Sequence, residues 1–210
     1  MRNCAVFLVT LGAIALVGSN ASADPIGPNC GTCQGSIYTL EYSGSPISTT
    51  GTTQTFRITL TIDTSGYNGG ASVLNAVAVK VSSMLVSMSL FSAPVVAGGW
   101  TTWMGGLNAT GCSGSGSGFD CAYAGSTGVP VPAGTYSWVF DLEMNTGTLF
   151  TTPNSSSIKA RYADDYNNKV GDLVSENITL QVAEVIPEPA TAALLGGGLL
   201  ALAIARRARR

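Results

Sequence analysis

The sequence predicts an all-β protein built as an antiparallel β-sandwich. Three observations point there. Apolar side chains alternate with polar ones at period two in segment after segment. Between residues 24 and 186 there are 20 serines, 20 threonines and 21 glycines in 163 positions; threonine favours strands, while serine and glycine favour turns. No stretch of that region carries a helical stripe of apolar residues.

Ser36 to Tyr42 places Tyr38, Leu40 and Tyr42 on one strand face. Phe56, Ile58, Leu60 and Ile62 alternate with Thr55, Arg57, Thr59 and Thr61. Gly66-Tyr67-Asn68-Gly69-Gly70 is a turn signal. Val77, Val79 and Val81 form the next set, and Val86, Met88 and Leu90 follow after a break. Tyr136, Trp138, Phe140, Leu142 and Met144 alternate with Ser137, Asp141 and Glu143. Ile158, Ala160 and Tyr162 face away from Lys159 and Arg161. Asp164-Asp165-Tyr166-Asn167-Asn168 reads as a hairpin loop, and Ile178, Leu180 and Val182 end the domain as one strand. About seven or eight strands with turn-rich links fit a sandwich, immunoglobulin-like or jelly-roll in its connections. No internal repeat is present, which argues against propellers and solenoids.

Composition excludes several chemistries. The 210 residues include no histidine, which removes Ser-His-Asp and Cys-His triads and histidine zinc sites. The net charge of −2 provides no basic face for nucleic acid. That figure hides an asymmetry. Residues 24–186 hold five basic against eleven acidic side chains, a net charge of −6, and the remaining basic residues lie at the two ends.

Those ends read as addresses. Residues 1–23 form a secretory signal peptide: Arg2 is the positive n-region, Ala5 to Val17 is the apolar h-region, and Ala21-Ser22-Ala23 is the small-x-small cleavage site. The apolar run is shorter than the ~20 residues a bilayer span needs. At the other end, Pro187-Glu188-Pro189 precedes an apolar run, Ala190 to Ala205, and then Arg206-Arg207-Ala208-Arg209-Arg210. The prolines stop any preceding helix, the run can insert as a short helix, and the arginines hold its end in the cytoplasm.

This tripartite tail, 187–210, resembles the PEP-CTERM sorting signal of Gram-negative bacteria. The resemblance implies recognition of Pro187, Glu188 and Pro189 by a membrane protease, exosortase, after signal peptidase has acted at the other end. It implies an inner-membrane intermediate with transient membrane contact. Display at the cell surface or release would follow, in organisms that make exopolysaccharide and biofilm matrix. An ordinary C-terminal anchor would share this topology without cleavage. Segments from Trp103 to Cys121, Ser157 to Tyr162 and Val170 to Leu180 are similar to those of PEP-CTERM proteins with no assigned activity.

Cys4 leaves with the signal peptide, so the domain 24–186 keeps Cys30, Cys33, Cys112 and Cys121. An even count in an exported protein implies disulfides. Three pairings are open; the expectation is the local one, Cys30–Cys33 with Cys112–Cys121. A thioredoxin-type role for Cys30-Gly31-Thr32-Cys33 would need a strand-to-helix junction, and this motif sits in a Gly/Pro-rich entry segment. Four-cysteine zinc ligation would need a reducing compartment and more usual spacing. Gly111 to Gly118 lacks the lysine and following helix of a phosphate loop, so no cofactor is expected.

Asp164, Asp165, Asn167, Asn168 and Asp172 offer calcium-type oxygens, but their spacing is not an EF-hand's and Asx-rich turns read alike. Trp100 and Trp103 are candidate carbohydrate contacts, since exposed aromatics stack on apolar ligand faces. Asp141 and Glu143 share a strand face and, with Asp120, are the carboxylates an enzyme would use on a glycan; a solvated face is the simpler reading of the pair. Asn108, Asn154 and Asn177 begin glycosylation triplets, which arise readily in a Ser/Thr-rich chain. The expectation is a non-enzymatic exported protein of the envelope or matrix, associated with exopolysaccharide. The alternatives are a carbohydrate-binding module using the tryptophans and a carboxylate-dependent enzyme.

Overall fold

The computed structural model of the chain describes residues 25–82, 84–113, 118–148 and 156–183. The signal segment with Ala21 and Ala23, the tail 187–210 with its expected helix, and Asn154 lie outside the described residues.

Within them the chain is all β. The strands are β1 (Ile37–Tyr42), β2 (Ser48–Thr50), β3 (Thr53–Asp63), β4 (Val73–Lys80), β5 (Leu85–Ser92), β6 (Thr101–Met104), β7 (Leu107–Asn108), β8 (Gly111–Cys112), β9 (Asp120–Tyr123), β10 (Val129–Pro130), β11 (Thr135–Asn145), β12 (Ser156–Ala163), β13 (Val174–Ile178) and β14 (Leu180–Val182). One sheet has the order β14-β1-β3-β11-β5, with β2 also paired to β3. The second has the order β13-β12-β4-β9-β6, with β10 also on β4, and β7–β8 form a separate hairpin.

The period-two segments build the core. Ile58, Leu60 and Ile62 of β3 and Trp138, Phe140, Leu142 and Met144 of β11 are fully buried against Val77 and Val79 of β4 and Ile158, Ala160 and Tyr162 of β12. Each such side chain contributes ~1.5–3 kcal/mol on burial, so this interleaving is the main source of stability. One polar link crosses it: Tyr38 and Tyr162 share a hydroxyl hydrogen bond of 2.8 Å, and Tyr162 donates to Ser36 Oγ at 2.7 Å. Burial pushes the Tyr162 phenol up to about 12.

Three features depart from the expectation. Ile178, Leu180 and Val182 do not form one strand. The chain changes sheets at Thr179, and β14 pairs with β1 in parallel, Leu40 opposite Leu180, while the other pairings are antiparallel. In β5, Leu85, Met88 and Leu90 pack on the core and Val86 is exposed, because irregularities against β11 shift the alternation. The second sheet is also covered on its outer side. Ala76, Ala78, Leu107 and Cys121 form a separate buried cluster there, under the β7–β8 hairpin.

The two ends of the sandwich differ. β1 and β14 both run toward the end carrying the β2–β3 turn, called the hairpin end below. The β3–β4 and β12–β13 connections form the far end.

Candidate functional site

The disulfides are local. Cys30–Cys33 spans a Cα separation of 5.2 Å and Cys112–Cys121 one of 5.8 Å. The first closes a tight turn in which Cys33 N–H donates to Cys30 O at 3.3 Å. It holds Thr32 against β13: the Thr32 hydroxyl donates to Glu176 Oε1 at 2.6 Å, and Ser175 N–H donates to Thr32 Oγ1 at 3.4 Å. The turn therefore protects a sheet edge, and no helix of the described residues follows it. The second disulfide ties β8 to β9, fixing the β7–β8 hairpin on the second sheet's outer face.

That face carries a polar network absent from the sequence expectation. Arg161, on the face opposite Ile158, Ala160 and Tyr162, is 2% exposed. Its Nε donates to Ala109 O at 2.8 Å, Nη1 to Asn75 Oδ1 at 2.8 Å and Asn167 Oδ1 at 3.0 Å, and Nη2 to Asn167 O at 2.7 Å. Asn167 Nδ2 also donates to Tyr123 Oη at 2.9 Å. Burial lowers the Arg161 pKa. The guanidinium thus joins the hairpin, β4 and the 164–168 turn. The readable signal was Asn75, a lone amide inside the apolar run Val73 to Val79.

The tryptophans do not share a surface. Trp100 meets Trp138 edge-on at 5.3 Å and donates Nε1–H to Pro94 O at 2.8 Å. Trp103 lies in β6 opposite Cys121 and is 41% exposed, with Tyr123 at 6.4 Å. Trp100 precedes β6 and packs against the core, whereas Trp103 within β6 is the exposed one of the two tryptophans. Trp100→Ala should lower stability by about 2 kcal/mol through lost packing, whereas Trp103→Ala should change it by less than about 0.5 kcal/mol. Thermal denaturation of the two variants checks this.

The carboxylates are already engaged or enclosed. Arg57 donates from Nε and Nη2 to Asp141 Oδ1 and Oδ2 at 2.8 and 2.9 Å, and its guanidinium lies 3.4 Å from the Phe91 ring centroid. Ser87 Oγ donates to Glu143 Oε2 at 2.7 Å, which holds that carboxyl below its usual range. Asp120 is fully buried at the start of β9, and neither oxygen has a hydrogen-bond partner among the described residues. Burial pushes its carboxyl up to about 7. These three do not converge on a common cleft. The shallow cleft at the far end, about 330 Å³, is lined by other residues, among them Pro28, Asn29, Asp63 and Asn68.

The calcium candidates are committed to the turn. Asp164 Oδ1 accepts from Tyr166 N at 3.0 Å and Asn168 N at 2.7 Å, and Asn168 Nδ2 donates to Oδ2 at 3.0 Å. These bonds hold the Asp164 carboxyl below its usual range. Asn167, at φ 65°, spends its amide on Arg161, Asn75 and Tyr123. Asp165 is exposed, and the backbone carbonyl of Asp172 accepts from Gln34 Nε2. This is an Asx-type turn rather than a cage of converging oxygens. In the glycosylation triplets, Asn108 Oδ1 accepts from Thr110 N–H at 2.8 Å, and Asn177 Oδ1 accepts from Ser157 Oγ at 3.0 Å.

The chain leaves the sandwich along β14. Ala183 N–H donates to Tyr42 O at 2.7 Å, and Pro187 follows four residues later. Residues 185–210 match the family model described as the PEP-CTERM protein-sorting motif. The chain carries a PEP-CTERM sorting motif. Its presence makes this an exported protein sorted through the membrane to the cell surface, handled by sorting machinery of the exosortase type. No curated protein matches the sequence. Among solved structures, the chain is similar to a Corynebacterium diphtheriae protein described as membrane anchored, with 11% identity and TM-score 0.34 over 80% of this chain and 40% of that one. It is also similar to the major pilin subunit of Bacillus cereus, with 6% identity and TM-score 0.34 over 70% of this chain and 40% of that one. The chain thus spans about 40% of the length of each. Among the described residues, no helix is long and apolar enough to cross a membrane.

Proposed function

We propose that the PEP-CTERM domain is a non-enzymatic component of the envelope or extracellular matrix. Signal peptidase releases its N-terminus, the tail 187–210 holds it transiently at the inner membrane, and an exosortase-type protease frees it for display. The observation that carries this reading is the junction itself. A sorting motif follows, within two residues, a disulfide-stapled sandwich whose candidate carboxylates are paired, hydrogen-bonded or enclosed. Association with exopolysaccharide draws support from the first sheet's outer face. Thr39, Thr61 and Ser137 lie side by side there, and the Thr61 and Ser137 hydroxyls are 3.0 Å apart.

Trp103 favours a second reading, a carbohydrate-binding module using one exposed aromatic beside Tyr123. Co-sedimentation with exopolysaccharide from a PEP-CTERM-encoding bacterium separates the two. Matrix association through the hydroxyl face predicts equal retention of wild type and Trp103→Ala. The module reading predicts loss of retention in Trp103→Ala. No retention of either protein removes the polysaccharide partner from both readings.

A further inference from the structure

We infer that the hairpin-end corner of the first sheet, formed by β14, the 43–47 loop and the β2–β3 turn, rests on the lipid headgroups while the tail is attached. The inference rests on the sorting reading above and adds an orientation and a contact surface to it. Its first support is tether length. The chain is bound to the sheet as far as Ala183, and the apolar run begins seven residues later at Ala190. Seven residues reach at most ~25 Å. Beside that exit, which is level with Arg57, β3 continues four residues to Thr53, ~13 Å of protein toward the same end. The remainder, roughly 12 Å at full extension, exceeds a headgroup layer of about 5–7 Å by only a few ångströms. With its tail inserted the domain is held against the bilayer surface unless the tether is fully stretched. If it tilts, the same corner stays lowest, because the chain emerges there.

The chemistry of the corner agrees with this placement. From Ser43 to Thr55 there is no charged residue, although the domain as a whole is acidic. Ile47 and Val182 are exposed apolar side chains on this corner, at 45% and 53%. A Cβ built on Gly44 would meet Val182 at 2.7 Å, so the two segments abut. The opposite end carries Asp63, Asp164, Asp165 and Asp172 against Lys169. An anionic leaflet repels such an end. Near the corner Glu143 lies opposite Thr55 and Glu184 follows the exit, two carboxylates against four at the far end, so the corner with its hydroxyls and two aliphatic side chains approaches such a leaflet at the lower electrostatic cost.

The test uses the form left by signal peptidase, Asp24 to Arg210, which lacks Cys4, with one added cysteine, Thr50→Cys or Asp165→Cys. The protein is labelled after folding with a fluorophore and reconstituted into phosphatidylcholine–phosphatidylglycerol vesicles containing headgroup-nitroxide lipid. Quenching should be several-fold stronger at position 50 than at position 165. Inserting a 20-residue Gly-Ser spacer after Ala183 should abolish the difference, since such a linker spans about 25 Å as a coil. Equal quenching at both positions in vesicle-bound protein with its native spacer would overturn the inference and leave the sorting reading intact. A persistent difference with the long spacer would overturn the tether argument. Failure of the chain to float with vesicles would remove the sorting reading itself.

Discussion

Arg161→Ala should destabilise the domain by about 3–5 kcal/mol, among the larger effects a single substitution can have here. The guanidinium makes four charge-assisted hydrogen bonds, and its loss would leave the buried Asn75 Oδ1 and the partly buried Ala109 O and Asn167 O without their donor. For a domain of this size each kcal/mol lowers Tm by ~2–4 °C, so a fall of roughly 6–20 °C is expected. Arg161→Lys keeps the charge but loses the planar fork, and one ammonium cannot serve acceptors on three segments. It should recover part of the loss, with a Tm between wild type and Arg161→Ala. If Arg161→Lys matches wild type, charge rather than fork geometry holds the β7–β8 hairpin.

Asp120→Asn should stabilise the protein at pH 8 and do little at pH 4. The carboxyl is buried with no hydrogen-bond partner among the described residues, and burial raises it from an ordinary 3.8 to about 7. In the folded state it therefore prefers to be neutral. Between pH 4 and 7 the unfolded chain has already released the proton that the folded chain still holds. Stability must then fall as pH rises through that window and level off above it. A shift of this size corresponds to a loss on the order of 4 kcal/mol. The chain has no histidine, so no other side chain ordinarily titrates in the upper half of the window. Urea unfolding at intervals from pH 4 to 8 measures the slope. Asp120→Asn should flatten it; a profile equally steep in the variant would assign the slope elsewhere.

What was legible in the sequence follows from period two. β3 and β11 read directly, because threonine, arginine and aspartate alternate with Ile58, Leu60, Phe140 and Leu142 on strands with one wet face. The same rule places Arg161 on the face opposite Tyr162 but says nothing of its burial. Its alternation is correct, but the face it occupies is roofed by a hairpin of two-residue strands, β7 and β8, too short to show periodicity. The sheet change at Thr179 was hidden for a related reason: Ile178, Leu180 and Val182 keep the same rhythm on both sides of the crossing. Trp100 and Trp103 were not separated by the sequence, because Trp100 lies just before β6 and its packing on Trp138 depends on the tertiary fold. The sorting motif was fully legible because it is a linear signal that needs no tertiary partner to read. Asp120 was not, because its environment is assembled from β4, β6 and β9.

Intact mass spectrometry of the protein recovered from the cell surface or medium tests directly whether the exported domain is freed from both its ends. The expected species begins at Asp24, ends at or near Pro187–Pro189, and carries two disulfides. A surface or medium species that keeps Arg206 to Arg210 would contradict processing by the sorting machinery, and a species found only in the cytosol with residues 1–23 attached would contradict export.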